Sequence, residues 1–284
     1  MRVITQPVRT FAQTLTSGLL VQSAVVMPNF GHLMGLWLDL TVTLAGATVS
    51  KASNSIDNVI QTLQIDDQFG KPCVIALGTD LSTLNDMLTP RGVRQAPPTI
   101  TTDGGGAGSA EWHLFLPFSI NAADMPGQVK LTLNALSALQ NANLASAGTV
   151  TVTLVVRAAY STDAQNTLRV AITTPPHAQG DNSFGPYLQA GFQLEALAFV
   201  AAGGDADFGY LTFIHHGVTI ATQSPANDFA DADTMLMQSG HLSGEFICRF
   251  PIIVVDSTTV MTVNLGTDTA VRLYSVSTIP QKRQ

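Results

Sequence analysis

Two segments of the chain repeat one another in their order of apolar and polar positions. In each segment an apolar residue occupies every second position, with polar or mixed residues between. This period of two is typical of a β-strand that buries one face. The alternating apolar residues are Trp112, Leu114, Leu116 and Phe118 in the first copy, and Phe246, Cys248, Phe250 and Ile252 in the second.

Each of these predicted strands has a glutamate near its start and a proline near its end. Glu111 and Pro117 in the first copy match Glu245 and Pro251 in the second. Because proline cannot donate a hydrogen bond to a sheet, it predicts an edge strand or a β-bulge at the same place in both copies.

The similarity continues on both sides of this strand. A strand, a glycine-containing turn, a second strand and a short helix are predicted over 63–88, and a matching series is predicted over 211–236. Thr79-Asp80 and Ser224-Pro225 are residues typical of a helix start. Further strands are predicted in pairs, at 36–44 and 192–200, 129–133 and 261–265, and 149–156 and 270–274, with another strand at 168–172.

We interpret this order as a tandem duplication. The chain is predicted to be all-β, with two sandwich or barrel units that each contain one small helix, joined near Ser161–Asn166. The segment 97–108, with Gly104-Gly105-Gly106, is predicted to be a surface loop, and 134–148 a short helix or a loop.

Composition adds a prediction about the surface. Hydrophobic residues make up 45% of the chain and charged residues only 12%, and the mean hydropathy is +0.25. Charged residues usually reach about 25%. So few charges predict that other copies of the protein cover much of the exterior.

The charge distribution is uneven. The net charge is −7, yet the ends are basic, with Arg2, Arg9, Lys282 and Arg283. An acidic body argues against nucleic-acid binding as the main activity. The basic ends are suited to an anionic surface, such as lipid headgroups or acidic patches on neighbouring subunits, or are solvated.

The two cysteines predict no metal or disulfide framework. Cys73 and Cys248 lie in separate apolar stretches, without a CxxC spacing, and Cys248 is predicted to be a buried, reduced thiol, as in a cytoplasmic product. The apolar stretch 18–27 has no convincing cleavage site and predicts no signal peptide. The stretch 33–49 is too short and polar to span a bilayer.

The sequence predicts no catalytic, cofactor-binding or metal-binding residue. Glu111 and Glu245 are the right type for a glycosidase pair, but duplication places them in different units. His215 and His216 are adjacent on a predicted strand, so their side chains are expected on opposite faces, unable to bind one metal. Three further acidic residues at a predicted helix start fit the helix dipole better than a cation site: Asp228, Asp231 and Asp233.

The duplicated order of elements resembles the double jelly-roll major capsid proteins of tailless icosahedral bacteriophages with an internal membrane, such as the tectiviruses and corticoviruses. The resemblance rests on the repeated strands Glu111 to Pro117 and Glu245 to Pro251, and on the helix ends Met87-Leu88 and Met235-Leu236. It covers roughly residues 14–278.

This resemblance implies two tandem eight-stranded jelly-roll barrels: an N-terminal arm at 1–15, a first jelly roll at 16–161, a second at 162–280 and a basic tail at 281–284. It implies homotrimers that form pseudo-hexagonal capsomers, tile an icosahedral shell and contact penton and minor capsid proteins. The basic termini would lie toward the internal membrane or adjacent capsomers. The protein would be made in the host cytoplasm, reside in the virion and have no active site.

Two other classes of function remain open. A trimeric phage spike or adhesin, or a carbohydrate-binding β-sandwich protein, should expose an aromatic platform, but aromatic residues are 7% and both tryptophans, Trp37 and Trp112, fall in predicted strands. A jelly-roll enzyme such as a cupin needs histidines and a glutamate converging in one barrel, whereas the six histidines are scattered along the chain.

Overall fold

The structure is a computed structural model that describes residues 3–15, 20–26, 31–45, 56–67, 69–88, 97–100, 107–121, 130–135, 149–162, 168–201, 207–223 and 245–278. The chain divides into two compact units, and the division falls between Thr167 and Leu168. The described residues are mainly β-strand, which confirms the predicted all-β class.

The described residues of the first unit form eight strands and one α-helix. They are β1 (Val3–Leu15), β2 (Leu20–Val26), β3 (His32–Ala45), β4 (Ile60–Asp66), β5 (Pro72–Ala76), α1 (Leu81–Leu88), β6 (Gly108–Asn121), β7 (Lys130–Ala135) and β8 (Thr149–Ser161). The strands form two four-stranded antiparallel sheets, in the orders β1-β8-β3-β6 and β2-β7-β4-β5.

The strand pairs of the first unit describe one long antiparallel ribbon that has been rolled up. β4 pairs with β5, β3 with β6, β2 with β7 and β1 with β8, so each pair encloses the previous one in the sequence. Eight strands wound in this way into two sheets are a jelly roll.

The described residues of the second unit form a further eight strands. They are β9 (Leu168–Thr173), β10 (Gly180–Ser183), β11 (Gln193–Ala201), β12 (Phe208–His215), β13 (Val218–Gln223), β14 (Glu245–Val254), β15 (Val260–Leu265) and β16 (Val271–Thr278). Their sheets have the orders β9-β16-β11-β14 and β10-β15-β12-β13.

The two units have the same connectivity. Every strand of the second unit occupies the place of the strand eight positions earlier in the first, in both sheets. The identical strand order of the two units confirms the predicted pair of eight-stranded jelly rolls. Different strand orders in the two halves would have contradicted the prediction.

The two prolines support the same conclusion in detail. Pro117 lies in β6 and Pro251 in β14, and both strands are the edge strands of their sheets. In the first unit, one additional residue bulges from β6 between the pairs Leu33–Ile120 and Gly35–Pro117. The register of β11 and β14 shifts at the corresponding place. The predicted edge strand and the predicted bulge both occur. Proline has no backbone N–H to donate to a neighbouring strand, and each arrangement provides a position where that hydrogen bond is not needed.

The core of the first unit is built from the alternation seen in the sequence. Leu40 of β3 lies opposite Trp112 of β6 on one side and Leu154 of β8 on the other, and all three side chains are buried. The residues two positions along each strand form a parallel row: Leu38, Leu114 and Val156. The next residue along β3, Trp37, faces the other side of the sheet and is partly exposed.

The N-terminal half of helix α1 packs against the rest of the first unit. Leu81 and Leu84 are fully buried, as their spacing predicts. Asp80 ends one turn of 3-10 helix before α1, and its carboxylate accepts a hydrogen bond from the backbone N–H of Leu77 at 2.7 Å. The side-chain amide of Asn85 donates to the carbonyl of Phe115 in β6. None of the helices in the described parts of the chain has the length and apolar character to cross a bilayer.

The second unit has an aromatic core. Phe199 of β11 packs near Phe184 and Phe208, with ring centroids 6.2 and 6.4 Å away. Most of the other side chains of this buried cluster are leucine, valine and methionine residues of β11, β12, β15 and β16.

Two predictions about the strands are corrected. Residues 1–15 were assigned to an N-terminal arm, but Val3–Leu15 is β1, paired along its length with β8. No strand is predicted between 172 and 192, but Gly180–Ser183 is β10, paired with β15. Neither segment shows clear alternation, since β1 contains Pro7 and β10 has no apolar side chain, so the pairing partner rather than the local pattern makes each a strand.

Several predictions fall outside the described parts of the chain. They concern the second helix, within 224–236, the glycine run at 104–106, most of 134–148, and the side chain of Cys248. Cys73 lies buried in β5.

Candidate functional site

The residues most tempting as catalysts lie at equivalent places in two separate units. Glu111 is exposed on β6, and Glu245 begins β14, the strand that takes the place of β6 in the second unit. Glu111 lies 3.8 Å from the exposed imidazole of His113. The topology therefore explains the repeated glutamate as a feature of the duplicated strand.

A polar and aromatic cluster covers the outward face of the sheet β1-β8-β3-β6. We call Asp39, His113, Arg157, Trp37 and Phe115 the Asp39 cluster. Arg157 donates from Nε and Nη2 to Oδ2 of Asp39, at 3.1 and 2.8 Å, and Nδ1 of His113 lies 2.9 Å from Oδ1. The pairing of β8, β3 and β6 brings these three side chains together from distant parts of the sequence.

The two aromatic residues of the Asp39 cluster lie two positions from its polar residues on the same strands, Trp37 from Asp39 on β3 and Phe115 from His113 on β6. The rings of Trp37 and Phe115 are 4.7 Å apart between centroids, and the guanidinium carbon of Arg157 lies 5.7 Å from the Trp37 ring centroid. This distance is within the range of a cation–π contact. The cluster is a surface of mixed polar and aromatic character, in which side chains of three strands contact one another.

A second cluster lies at the end of the sheet β10-β15-β12-β13. We call His215, His216 and Asp256 the histidine cluster. Nδ1 of His215 lies 3.8 Å from Oδ1 of Asp256, and Nε2 of His216 lies 3.5 Å from Oδ2. The two imidazole rings are 4.1 Å apart between centroids.

The expectation that His215 and His216 face opposite sides of a strand is therefore wrong. β12 ends at His215, and His216 and Gly217 form the two-residue turn to β13, with φ of +51° and +73°. Two positive φ values are the conformation of a type I′ hairpin turn. Strand alternation stops at this turn, so both rings come to the same carboxylate.

Asp256 is held in place by its own turn. The hydroxyl and the backbone N–H of Thr258 donate to Oδ1, at 2.6 and 2.8 Å. These bonds, and more weakly the charges of His216 and His215, lower the pKa of Asp256 below its ordinary value. The carboxylate is thus ionised at neutral pH.

A third group of side chains joins β10, β15 and β12 on the surface. The phenol of Tyr210 and the amide of Asn264 both donate to Oδ1 of Asp181, at 2.7 and 2.6 Å. The hydrogen bonds lower the pKa of Asp181, and the bond that Tyr210 makes to Asp181 raises the pKa of the phenol. This arrangement orders the surface of the sheet.

Both units expose large apolar side chains. In the first unit Phe69, Ile75 and Leu77 are exposed around the β4–β5 hairpin, with 63% of Phe69 accessible. In the second unit the set is Tyr210, Val218, Val254 and Val260. With so few charges in the chain, such surfaces favour association with other protein surfaces.

The structure is similar to viral capsid proteins over nearly its whole length. It matches the major capsid protein of Sulfolobus turreted icosahedral virus with a TM-score of 0.70 and 12% identity, covering 98% of this chain and 96% of that one. It matches the major capsid protein of bacteriophage PM2 with a TM-score of 0.52 and 10% identity, covering 99% of both. The chain has the double jelly-roll fold.

A further match is the capsid of the virus PBCV-1, with a TM-score of 0.56, 9% identity and coverage of 95% of this chain and 93% of that one. No family model and no curated protein sequence matches the chain. The double jelly roll is thus recognised here by its strand order, because at this level of identity few side chains are shared.

Sequence reasoning missed both clusters on the surface of the double jelly roll. The outward position of Trp37 and Asp39 follows from alternation, but their partners on β6 and β8 depend on strand register. The dipeptide His216-Gly217 was the one local signal for the histidine cluster, since histidine and glycine both tolerate positive φ.

Proposed function

We propose that this protein is the structural major capsid protein of a tailless icosahedral virus, a bacteriophage with an internal membrane. The observation that carries the proposal is the identical strand order of the two units. In this proposal three chains form a trimer with six similar barrels, which presents a nearly hexagonal outline and tiles the shell. A tandem duplication supports it, because two similar but separately mutable barrels let a trimer approximate six-fold packing.

The surface supports an assembly role. Charged residues are only 12% of the chain, and both units expose large apolar side chains. Covering such a surface with another copy costs little free energy, whereas covering a highly charged surface requires the removal of water from its charges, which is unfavourable. The similar solved structures of nearly equal length are capsid proteins, which supports the same role without any catalytic activity.

The remaining assignments are part of the same proposal. The second jelly roll is proposed to span 162–280, and 281–284 to be a basic tail. The trimer is proposed to contact penton and minor capsid proteins. Arg2, Arg9, Lys282 and Arg283 are proposed to touch the internal membrane. The protein would be made in the host cytoplasm and end in the virion.

Oligomeric state tests the proposal. Native mass spectrometry of the purified protein should give a homotrimer, and negative-stain images should show particles of hexagonal outline. A stable monomer with affinity for sugars would overturn the proposal in favour of the adhesin alternative. The structure does not favour that alternative, because Trp112 is buried and Arg157 and Phe115 pack beside the ring of Trp37.

Vesicle binding tests the role of the basic ends separately. The trimer should co-float with vesicles that contain anionic phospholipid and not with neutral vesicles, at low salt. Changing the four basic residues to glutamine should abolish this binding and leave the trimer intact. Equal binding by the variant would contradict the membrane contact but not the trimer.

A further inference from the structure

The histidine cluster has the donor set of a transition-metal site. It contains two imidazoles and one carboxylate, and one ligand atom from each of the three side chains lies within 4.8 Å of the others. Zn²⁺ and Co²⁺ accept nitrogen and carboxylate ligands together, whereas Ca²⁺ and Mg²⁺ are bound by oxygen. The chemistry of the cluster therefore selects a transition metal.

The distances are close to those of a coordinated ion. With metal–ligand bonds of about 2.0–2.2 Å, neighbouring ligand atoms of a tetrahedral site lie about 3.3–3.6 Å apart. Nε2 of His216 lies 3.5 Å from Oδ2 of Asp256, and Nδ1 of His215 lies 3.8 Å from Oδ1 of the same carboxylate. The three ligand atoms lie within 4.8 Å of one another, so side-chain shifts of about 1 Å would bring them to coordination distances, and water would complete the fourth position.

The surroundings of His216 and Asp256 resemble those of metal ligands, whereas Nδ1 of His215 lies 3.1 Å from the hydroxyl of Thr259, a contact that the ion would have to replace. Nδ1 of His216 lies 3.1 Å from the hydroxyl of Thr258, which leaves Nε2 directed at Asp256. The same threonine donates to Oδ1 of Asp256. Such bonds to the second nitrogen of a histidine and to a carboxylate orient ligands before the ion arrives.

The histidine cluster lies between two turns that a bound ion would connect. His215 and His216 belong to the β12–β13 hairpin, and Asp256 to the turn between β14 and β15. The side chain of His216 is 63% accessible and that of Asp256 38%, so an ion can enter from solvent. An ion bound there joins two turns at one end of the second jelly roll.

We propose that His215, His216 and Asp256 bind a Zn²⁺-type ion that clamps the β12–β13 hairpin to the β14–β15 turn. The site requires one chain only and is independent of the proposed capsid role.

The test uses the full chain with Zn²⁺ as the probe, in equilibrium dialysis followed by elemental analysis. One ion per chain is expected, retained against excess Ca²⁺, together with a rise in melting temperature. Co²⁺ in its place should give the visible absorption of a tetrahedral site. Failure of the wild-type protein to bind either ion would overturn the proposal without any variant.

Matched variants locate the site. His216→Asn keeps a residue that tolerates positive φ, and Asp256→Asn keeps the shape of the side chain; each should weaken binding at least tenfold. His177→Gln is the control, because the imidazole of His177 lies 3.8 Å from Asp268 without a second histidine. Equal loss in the control, or unchanged binding in the cluster variants, would refute the assignment.

Discussion

Leu40 offers the most direct test of the architecture of the first jelly roll. Its side chain is 1% exposed and lies in the centre of a buried row, between Trp112 and Leu154 on the two neighbouring strands. The change Leu40→Ala removes three buried carbon groups, for which the transfer free energy is about 0.8 kcal/mol each. Leu→Ala changes in a core cost about 2.7–5 kcal/mol in all, because a cavity remains.

We expect a loss of about 3–4 kcal/mol in the free energy of unfolding for Leu40→Ala, since neighbours on both sides hinder collapse of the cavity. This is a large part of the stability of a typical domain, about 5–15 kcal/mol. The matched control is Thr41→Ala, one residue further on the outward face, which should change stability by no more than about 0.5 kcal/mol.

Tryptophan fluorescence in a urea titration measures this effect in the first unit alone. The chain has two tryptophans, Trp37 in β3 and Trp112 in β6, and both belong to the first jelly roll. All variants are compared at one protein concentration, because association shifts apparent stability. If Leu40→Ala cost less than about 1 kcal/mol, or Thr41→Ala cost as much, the inward and outward faces of β3 would be assigned wrongly.

Three further changes probe other parts of the structure. Burial raises the pKa of Tyr160 from 10.0 to about 12, so the protonated phenol should stabilise the fold fully below pH 10, and this stabilisation should disappear as the pH rises towards 12. In Tyr160→Phe this part of the loss of folding stability at alkaline pH should be absent, as measured by urea titration at each pH. Gly78→Ala should destabilise by about 3 kcal/mol or more, because the new Cβ would lie 2.0 Å from the carbonyl oxygen of Asp57; a normal melting curve would disprove that close packing. Asp39→Asn should cost about 1 kcal/mol or less, since Arg157 is partly exposed, and the loss should shrink at high salt; a salt-independent loss would show that the ion pair is not its cause.

Much of the strand pattern was predictable from short stretches of sequence. Alternation placed Leu36, Leu38 and Leu40 inward, and all three are buried. Pro117 and Pro251 indicated edge strands and bulges, which occur at both places. These predictions succeed because they depend on chain geometry at neighbouring positions, where the side-chain period of a strand is two.

Partners distant in the sequence were not predictable. β1 and β10 became strands because β8 and β15 offer them hydrogen bonds, not because of their own residues. The bonds from Arg157 and His113 to Asp39 depend on the register of three strands.

The histidine cluster shows the same division most clearly. The sequence by itself determined two similar β-units and the parity of their strands, because those follow from local alternation and from the repeat. That the units are jelly rolls was implied by the family resemblance and is shown by the strand order. It could not determine that His216 leaves the strand with positive φ, or that the β14–β15 turn brings Asp256 to both rings. Those positions depend on how the β12–β13 hairpin lies against β15. The tertiary structure alone decides this, because the paired residues of β12 and β15 are 46 to 57 positions apart in the sequence.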